Sequence, residues 1–275
     1  MNDPVRPNEV TQPATSTGAT TRPVGDSEAN GGLSLSAGNV LSGRYRIDSF
    51  LDRGGMGEVF RATDLDLGVT LALKTIRPEI ASNPTSLRRF KQEVLLARSV
   101  SHPNVCRTFD LGRDEASKVA YLTMEYLDGV TLSARIRRTG SIPPDEGLHV
   151  VCQLADGLDA AHRAGVVHRD FKSANVVLVP GHEGERAVIT DFGLAMVMER
   201  PEPAGCGRDI GAAGPADLGP PAGSRLTVPG LVGSPAYMSP EQVRGEAVGP
   251  ASDLYALGVV LFEMATGRLP FHGDT

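Results

Sequence analysis

Apolar and polar residues alternate with one period early in the chain and another later. From about Arg44, short runs rich in β-branched and aromatic residues are separated by turn signals. Tyr45, Ile47 and Leu51, then Val59 and Phe60, then Val69, Leu71, Leu73 and Ile76 predict three strands. Asn83-Pro84 reads as an N-cap followed by a first helical residue. Leu87, Phe90, Val94 and Ala97 follow at spacings of three and four, which marks a helix face. Further strands are expected around Val105–Leu111 and Val119–Met124. The pattern is therefore a small, five-stranded, mainly antiparallel lobe with one helix over residues 44–127. After Gly129 the helical period dominates. Pro144 opens a helix with Leu148, Val151, Cys152, Ala155, Leu158 and Ala161 on one face, and Gly165 ends it. Short strands are expected at Val176–Val179 and Ala187–Ile189. A last helix, Asp253–Met264, carries Leu254, Leu257, Val260, Leu261 and Met264 along one side. The fold class is α+β, with a mainly helical second lobe over residues 128–275.

Two stretches lack any period. Residues 1–40 are polar and turn-rich and are expected to form a disordered tail. Residues 200–224 are rich in Gly, Pro and Ala and are expected to form a mobile insert.

Composition narrows the function classes. A chain of 275 residues with 40% hydrophobic and 22% charged content suits a soluble globular protein. A net charge of −6 argues against a general nucleic-acid binder, which needs a basic face. The three cysteines, Cys106, Cys152 and Cys206, lack metal-ligand spacing, so reduced thiols in the cytoplasm are expected. No signal peptide opens the chain, and no apolar run in it is long enough to span a membrane.

The chemistry is concentrated in one stretch. His168-Arg169-Asp170-Phe171-Lys172-Ser173-Ala174-Asn175, followed by Asp191-Phe192-Gly193, sets out a candidate base, a cation and two metal ligands in order. Magnesium-dependent phosphoryl transfer needs that inventory, because it asks for a positioned hydroxyl, metal ions on the phosphates and charge stabilisation. Upstream, Leu51-Asp52-Arg53-Gly54-Gly55-Met56-Gly57-Glu58-Val59 lies between two predicted strands. Glycines there let backbone amides approach phosphate. A dinucleotide-binding loop would open a helix rather than a strand, and a Walker A loop would carry Gly-Lys before Ser or Thr. Neither fits.

These strings resemble the glycine-rich loop, catalytic loop and metal-binding turn of bacterial eukaryotic-like (Hanks-type) serine/threonine protein kinases. The resemblance implies a bilobal kinase fold, with ATP and Mg2+ as cofactors. Gly54, Gly55 and Gly57 would cover the phosphates, with Leu51 and Val59 against the base. Asp52 departs from the pattern, standing where the first glycine belongs. Leu71-Ala72-Leu73-Lys74 matches the third-strand motif, with Ala72 over adenine and Lys74 on the α- and β-phosphates. Glu93 matches the helix glutamate that pairs with that lysine. Met124 would stand behind adenine, and the backbone of Glu125 and Leu127 would bond its edge. Asp170 would orient and deprotonate the substrate hydroxyl, Lys172 would sit by the transferred phosphoryl, and Asn175 and Asp191 would hold metal.

The segment from Gly233 to Glu241 resembles the substrate-docking stretch, with Ser234 at the position that touches Asp170 and Lys172 and Ser239 replacing an alanine. Arg169 precedes the catalytic aspartate, and such an arginine holds an activation-loop phosphate in the family, so Thr227, then Ser224, are expected regulatory phosphosites. Asp253 matches the residue that anchors the catalytic loop. The resemblance covers about Arg44 to Thr275, where the family continues with roughly 60 more residues of helix, so an incomplete C-terminal lobe is expected. In that case Glu241 would lack its arginine partner. The expected activity is transfer of the γ-phosphate of ATP to protein Ser or Thr hydroxyls in signalling. The implied partners are protein substrates and, for autophosphorylation in trans, a second copy. The alternatives are a nucleotide-binding pseudokinase scaffold and an inactive fragment.

Overall fold

The computed structural model describes residues 34–55, 57–181, 184–192 and 235–271. The antiparallel sheet follows from period-two patterning. Its strands are β1 (Val40–Leu41), β2 (Tyr45–Gly54), β3 (Gly57–Asp64), β4 (Val69–Ile76), β5 (Thr108–Arg113) and β6 (Ala120–Met124). They pair in the order β1-β2-β3-β4-β6-β5. In β4, Leu71 and Leu73 face one side with Tyr45, Ile47 and Phe60. Ala72 and Ile76 face the other, against Phe90 and Val94. That second face is covered by α2 (Pro84–Ser99), preceded by the single turn α1 (Pro78–Ala81). Asn83 caps α2 by accepting from the N–H groups of Thr85 and Ser86, as its sequence signature predicts.

The first lobe departs from expectation at its edges. The sheet has six strands rather than five, because Val40 and Leu41 pair with Arg46 and Tyr45. Packing starts ahead of the expected Arg44: Leu35 is 5% exposed, packed with Leu41, Phe60 and Leu73. The rest of the expected tail, residues 1–33, lies outside the described residues, as does the expected insert at 200–224. Val105 does not join β5. It bridges to Ile189 and packs in the core of the second lobe.

The second lobe comprises β7 (Val130–Thr131), α3 (Leu132–Thr139), α4 (Pro144–Arg163), β8 (Val176–Val179), β9 (Arg186–Ile189), the turn α5 (Pro240–Val243) and α6 (Pro250–Thr266). Its helix faces are rotated from those read in the sequence. On α4 the buried residues are Val150, Leu154, Gly157, Leu158 and Ala161, while Leu148 is 65% exposed. On α6 they include Ala256, Val259, Val260 and Met264, while Leu254 and Leu261 are exposed. Apolar residues ring both helices, so periodicity alone does not choose the buried face. Gly157 sits where β9 and Asn104 press closest; a Cβ there would lie 3.1 Å from the Asn104 carbonyl oxygen.

Leu35→Ala tests whether order starts before the sheet proper. The substitution is expected to cost about 2–3 kcal/mol in chemical denaturation, the lower range for a buried Leu→Ala change. A residue in a solvated tail would cost nothing.

Candidate functional site: a nucleotide and phosphoryl-transfer cleft

The site is built on one buried carboxylate. Asp253, 1% exposed on the first turn of α6, accepts the backbone N–H of His168 at 2.8 Å and of Arg169 at 2.9 Å. The His162 Nε2 atom of α4 lies 2.7 Å from the same group. Arg169 takes a left-handed backbone conformation, φ 68°, which is uncommon for a long side chain. Its N–H is on Asp253, and its carbonyl accepts from Gln242 Nε2 at 2.6 Å. Gln242 is itself set by a capping box with Ser239, the first residue before α5. Ser239 is fully buried in that role.

Beyond Arg169 the loop presents its chemistry. Lys172 Nζ donates to Asp170 Oδ2 at 2.7 Å. Asn175 Nδ2 donates to the Asp170 carbonyl at 2.8 Å, which orients the amide. His168 is fully buried against Phe171 and Phe192. Its Nε2 lies 2.9 Å from the Thr190 carbonyl, which makes Nε2 the protonated nitrogen, and Nδ1 accepts from the Asp170 N–H. Thr190 N–H in turn donates to the Asn175 carbonyl at 2.8 Å. The catalytic loop and the Asp191 turn are thus tied together through backbone.

Asp191, with φ 62°, reaches the first lobe: Lys74 Nζ donates to its Oδ1 at 2.7 Å. The lysine side chain is 6% exposed. Burial pushes the Asp191 carboxyl up, but the charge and hydrogen bond of Lys74 outweigh it and hold the group below the usual carboxylate range.

The pairing differs from the one the resemblance implies. Glu93 is not on Lys74. Its Oε1 lies 3.4 Å from Arg169 Nη1, so the helix glutamate is engaged by the arginine of the catalytic loop. Between α2 and β6 a cavity is lined by Val94, Ala97, Cys106, Leu122, Met124 and Phe192. Burial pushes the Cys106 thiol far up, and it donates to the Glu125 carbonyl.

On the sheet, Ala72 and Met124 are cross-strand partners, and Val59 packs on the same cluster. Val59 is also opposite Lys74. The Glu125 N–H is given to the Arg107 carbonyl and its carboxylate to Arg186. Leu127 follows directly, its carbonyl accepting from Gly129 N–H. Gly54 and Gly57 face each other across the hairpin neck, with Gly54, Gly55 and Leu51 exposed. Position 57 admits only glycine, because a Cβ would lie 1.8 Å from the Thr75 carbonyl oxygen. Asp52, the departure noted in the sequence, is exposed, and its carboxylate accepts the Arg53 N–H.

Some contacts had no sequence signal. Tyr237 Oη donates to Glu263 Oε2 at 2.6 Å and sits 3.0 Å from Ser173 Oγ, linking the catalytic loop to α6. Glu241, expected to want an arginine, takes the Ser252 hydroxyl. Gly193, Ser224, Thr227 and Ser234 lie outside the described residues.

Residues 45–275 match the profile of the protein kinase domain. The chain belongs to the protein kinase family. It is 36% identical over 237 residues to a probable serine/threonine-protein kinase of Streptomyces coelicolor, covering 86% of this chain and 32% of the relative. It is 35% identical to serine/threonine-protein kinase PrkC of Bacillus subtilis over 241 residues, 86% of this chain and 33% of PrkC. PknA of Mycobacterium tuberculosis is 35% identical over 246 residues, 88% of this chain and 51% of PknA. The chain thus spans a third to a half of the length of these kinases. The crystal structure of the Mycobacterium tuberculosis PknI kinase domain superposes with a TM-score of 0.64 at 26% identity, covering 88% of this chain and 79% of that domain. The bilobal kinase fold expected from the resemblance is therefore the fold of this chain.

The Lys74–Asp191 pair predicts an acid signature. A carboxylate with a depressed pKa contributes stability that is complete above its unfolded value of about 4 and is lost as pH falls through its folded value. Asp191→Asn is therefore expected to be less stable than the parent at neutral pH, and the gap should close below about pH 4. Thermal unfolding of both proteins across that range measures it; a gap that persists in acid would contradict the pairing.

Proposed function

We propose that the chain carries an ATP- and Mg2+-dependent serine/threonine protein kinase activity, transferring the γ-phosphate of ATP to protein hydroxyls. The observation that carries this reading is the loop itself. Asp170 is held between Lys172 and Asn175, and that loop is tied through Thr190 to Asp191, which meets Lys74 across the cleft. The donor set fits magnesium: Asp191 offers a one-third-exposed carboxylate, and Asn175 an amide whose nitrogen is already engaged, leaving oxygen donors only. When bound by Asp191 and Asn175, the metal would offset the charge of the phosphates.

The protein's own residues then divide the work. Asp170 accepts the proton of the incoming hydroxyl, with one carboxylate oxygen held by Lys172 and the other left for substrate. Lys172 offsets charge on the phosphoryl group. Lys74 contacts the α- and β-phosphates, exchanging Asp191 for them. Gly54, Gly55 and Gly57 cover the phosphates, while Leu51, Val59, Ala72 and Met124 enclose the base. Glu125 has its carbonyl and Leu127 its N–H as the edge-reading groups. Glu93 on Arg169 represents a resting arrangement, and phosphate on Thr227 or Ser224 would compete for that arginine. Ser234 docks the substrate. Phosphorylation between two copies follows if those loops are substrates in trans. Among the described residues Cys106 and Cys152 are free thiols. Among the described residues no helix is long and apolar enough to cross a membrane.

Asp170→Asn should lower phosphate transfer from Mg-ATP by about 10²–10⁴-fold while leaving nucleotide binding intact. Radiolabel transfer and nucleotide titration on the same preparations measure both. Undiminished transfer would remove Asp170 as the base.

Mass spectrometry of the active parent should find phosphate on Thr227 first and Ser224 second, both absent in Asp170→Asn. Active protein carrying phosphate at neither position would refute the switch.

A further inference from the structure

Glu58 ties the glycine hairpin to a residue ahead of the matched kinase domain. Glu58 opens β3 directly after Gly57 and is 7% exposed. It stands opposite Arg53 at the neck of the glycine hairpin, next to the Gly54–Gly57 pair. One carboxylate oxygen accepts Arg53 Nη2 at 2.7 Å. The other accepts both the backbone N–H of Ser34, at 2.9 Å, and the Ser34 hydroxyl, at 2.5 Å. Burial pushes this carboxyl up, and the Ser34 and Arg53 bonds outweigh it, so the group stays charged.

Ser34 lies ahead of residue 45, where the kinase-domain match begins. The residues that follow it are anchored firmly. Leu35 and Leu41 are buried with Phe60 and Leu71 on the outer face of the sheet. Gly38 N–H donates to the Ile47 carbonyl, and Ile47 N–H to that of Asn39, both at 2.8 Å. Ser42 N–H is held by Asp114 at 2.7 Å. Ser34, at the head of this anchored stretch of the described residues, therefore sets two donors on the neck of the hairpin.

We propose that Ser34–Leu41 is a strap that sets the pitch of the glycine hairpin through Glu58, with Ser34 the positioning residue that tunes nucleotide affinity. The proposal rests on the nucleotide site proposed above. Gly54, Gly55 and Gly57 contribute no side chains to brace the hairpin, so contacts at its neck bear on its angle to the cleft. A buried carboxylate keeps its position only while its donors stay in place. With Ser34 withdrawn, Glu58 retains Arg53 but loses its tie to the outer face of the sheet. The neck then loosens and the backbone amides meet the phosphates less well.

The test uses the full 275-residue chain and a fluorescent ATP analogue with Mg2+. Ser34→Ala removes the hydroxyl donor, Ser34→Asp sets carboxylate against carboxylate, and Ser34→Thr keeps both donors. Nucleotide affinity is expected to fall about tenfold in Ser34→Asp and about threefold in Ser34→Ala, and to be retained in Ser34→Thr. Adding Glu58→Gln to Ser34→Asp should restore affinity to the Ser34→Ala level, because the repulsion is gone. KM for ATP should follow these shifts while kcat at saturating ATP stays within about twofold. Parent-like affinity in Ser34→Asp, or a loss that Glu58→Gln does not relieve, overturns the strap while leaving the kinase reading intact. Failure of the parent itself to bind the analogue overturns both.

Discussion

The second lobe's chemistry depends on Asp253. Its two oxygens hold the N–H groups of His168 and Arg169, and so they hold a left-handed residue in a buried turn. A non-glycine residue in that conformation costs about 1–2 kcal/mol, and it persists only where surrounding contacts over-determine it. Here they do: carboxylate on one side of the Arg169 peptide, Gln242 on the other. Beyond the turn, Lys172 and Asn175 both close on Asp170. Removing a partner from a buried charge network of this kind typically costs about 3–5 kcal/mol, so the anchor and the active geometry stand or fall together.

Electrostatics connects this loop to the first lobe. Lys74 is nearly buried and needs an anion. It takes Asp191 at 2.7 Å, while Glu93 turns to Arg169. Each choice leaves a charged group paired. Exchanging the partners would leave Arg169 open to another anion and return Asp191 to the cleft. The cleft therefore holds its charges in a self-consistent arrangement of pairs.

The strands and the active-site strings were legible in the sequence because their determinants are local. Alternation in β4 and the Asn83-Pro84 cap each specify conformation within a few residues. The buried faces of α4 and α6 were not, since Leu148, Leu254 and Leu261 carry the same apolar signal as their buried neighbours. The register of β1 and the burial of Leu35 were hidden too. A short apolar residue in a polar stretch says nothing until a sheet edge exists to receive it.

The sequence by itself determined the family and the two lobe types. Residue type at close spacing is enough for that: Asp, Lys and Asn within one turn have few other common uses. Only the tertiary structure decided who holds whom. The Lys74–Asp191 bond spans 117 positions and Asp253 reaches back 85 to the His168 N–H. Ser34 meets Glu58 across 24. Such pairings depend on distance in space and on competition among several eligible partners, and a linear pattern encodes neither.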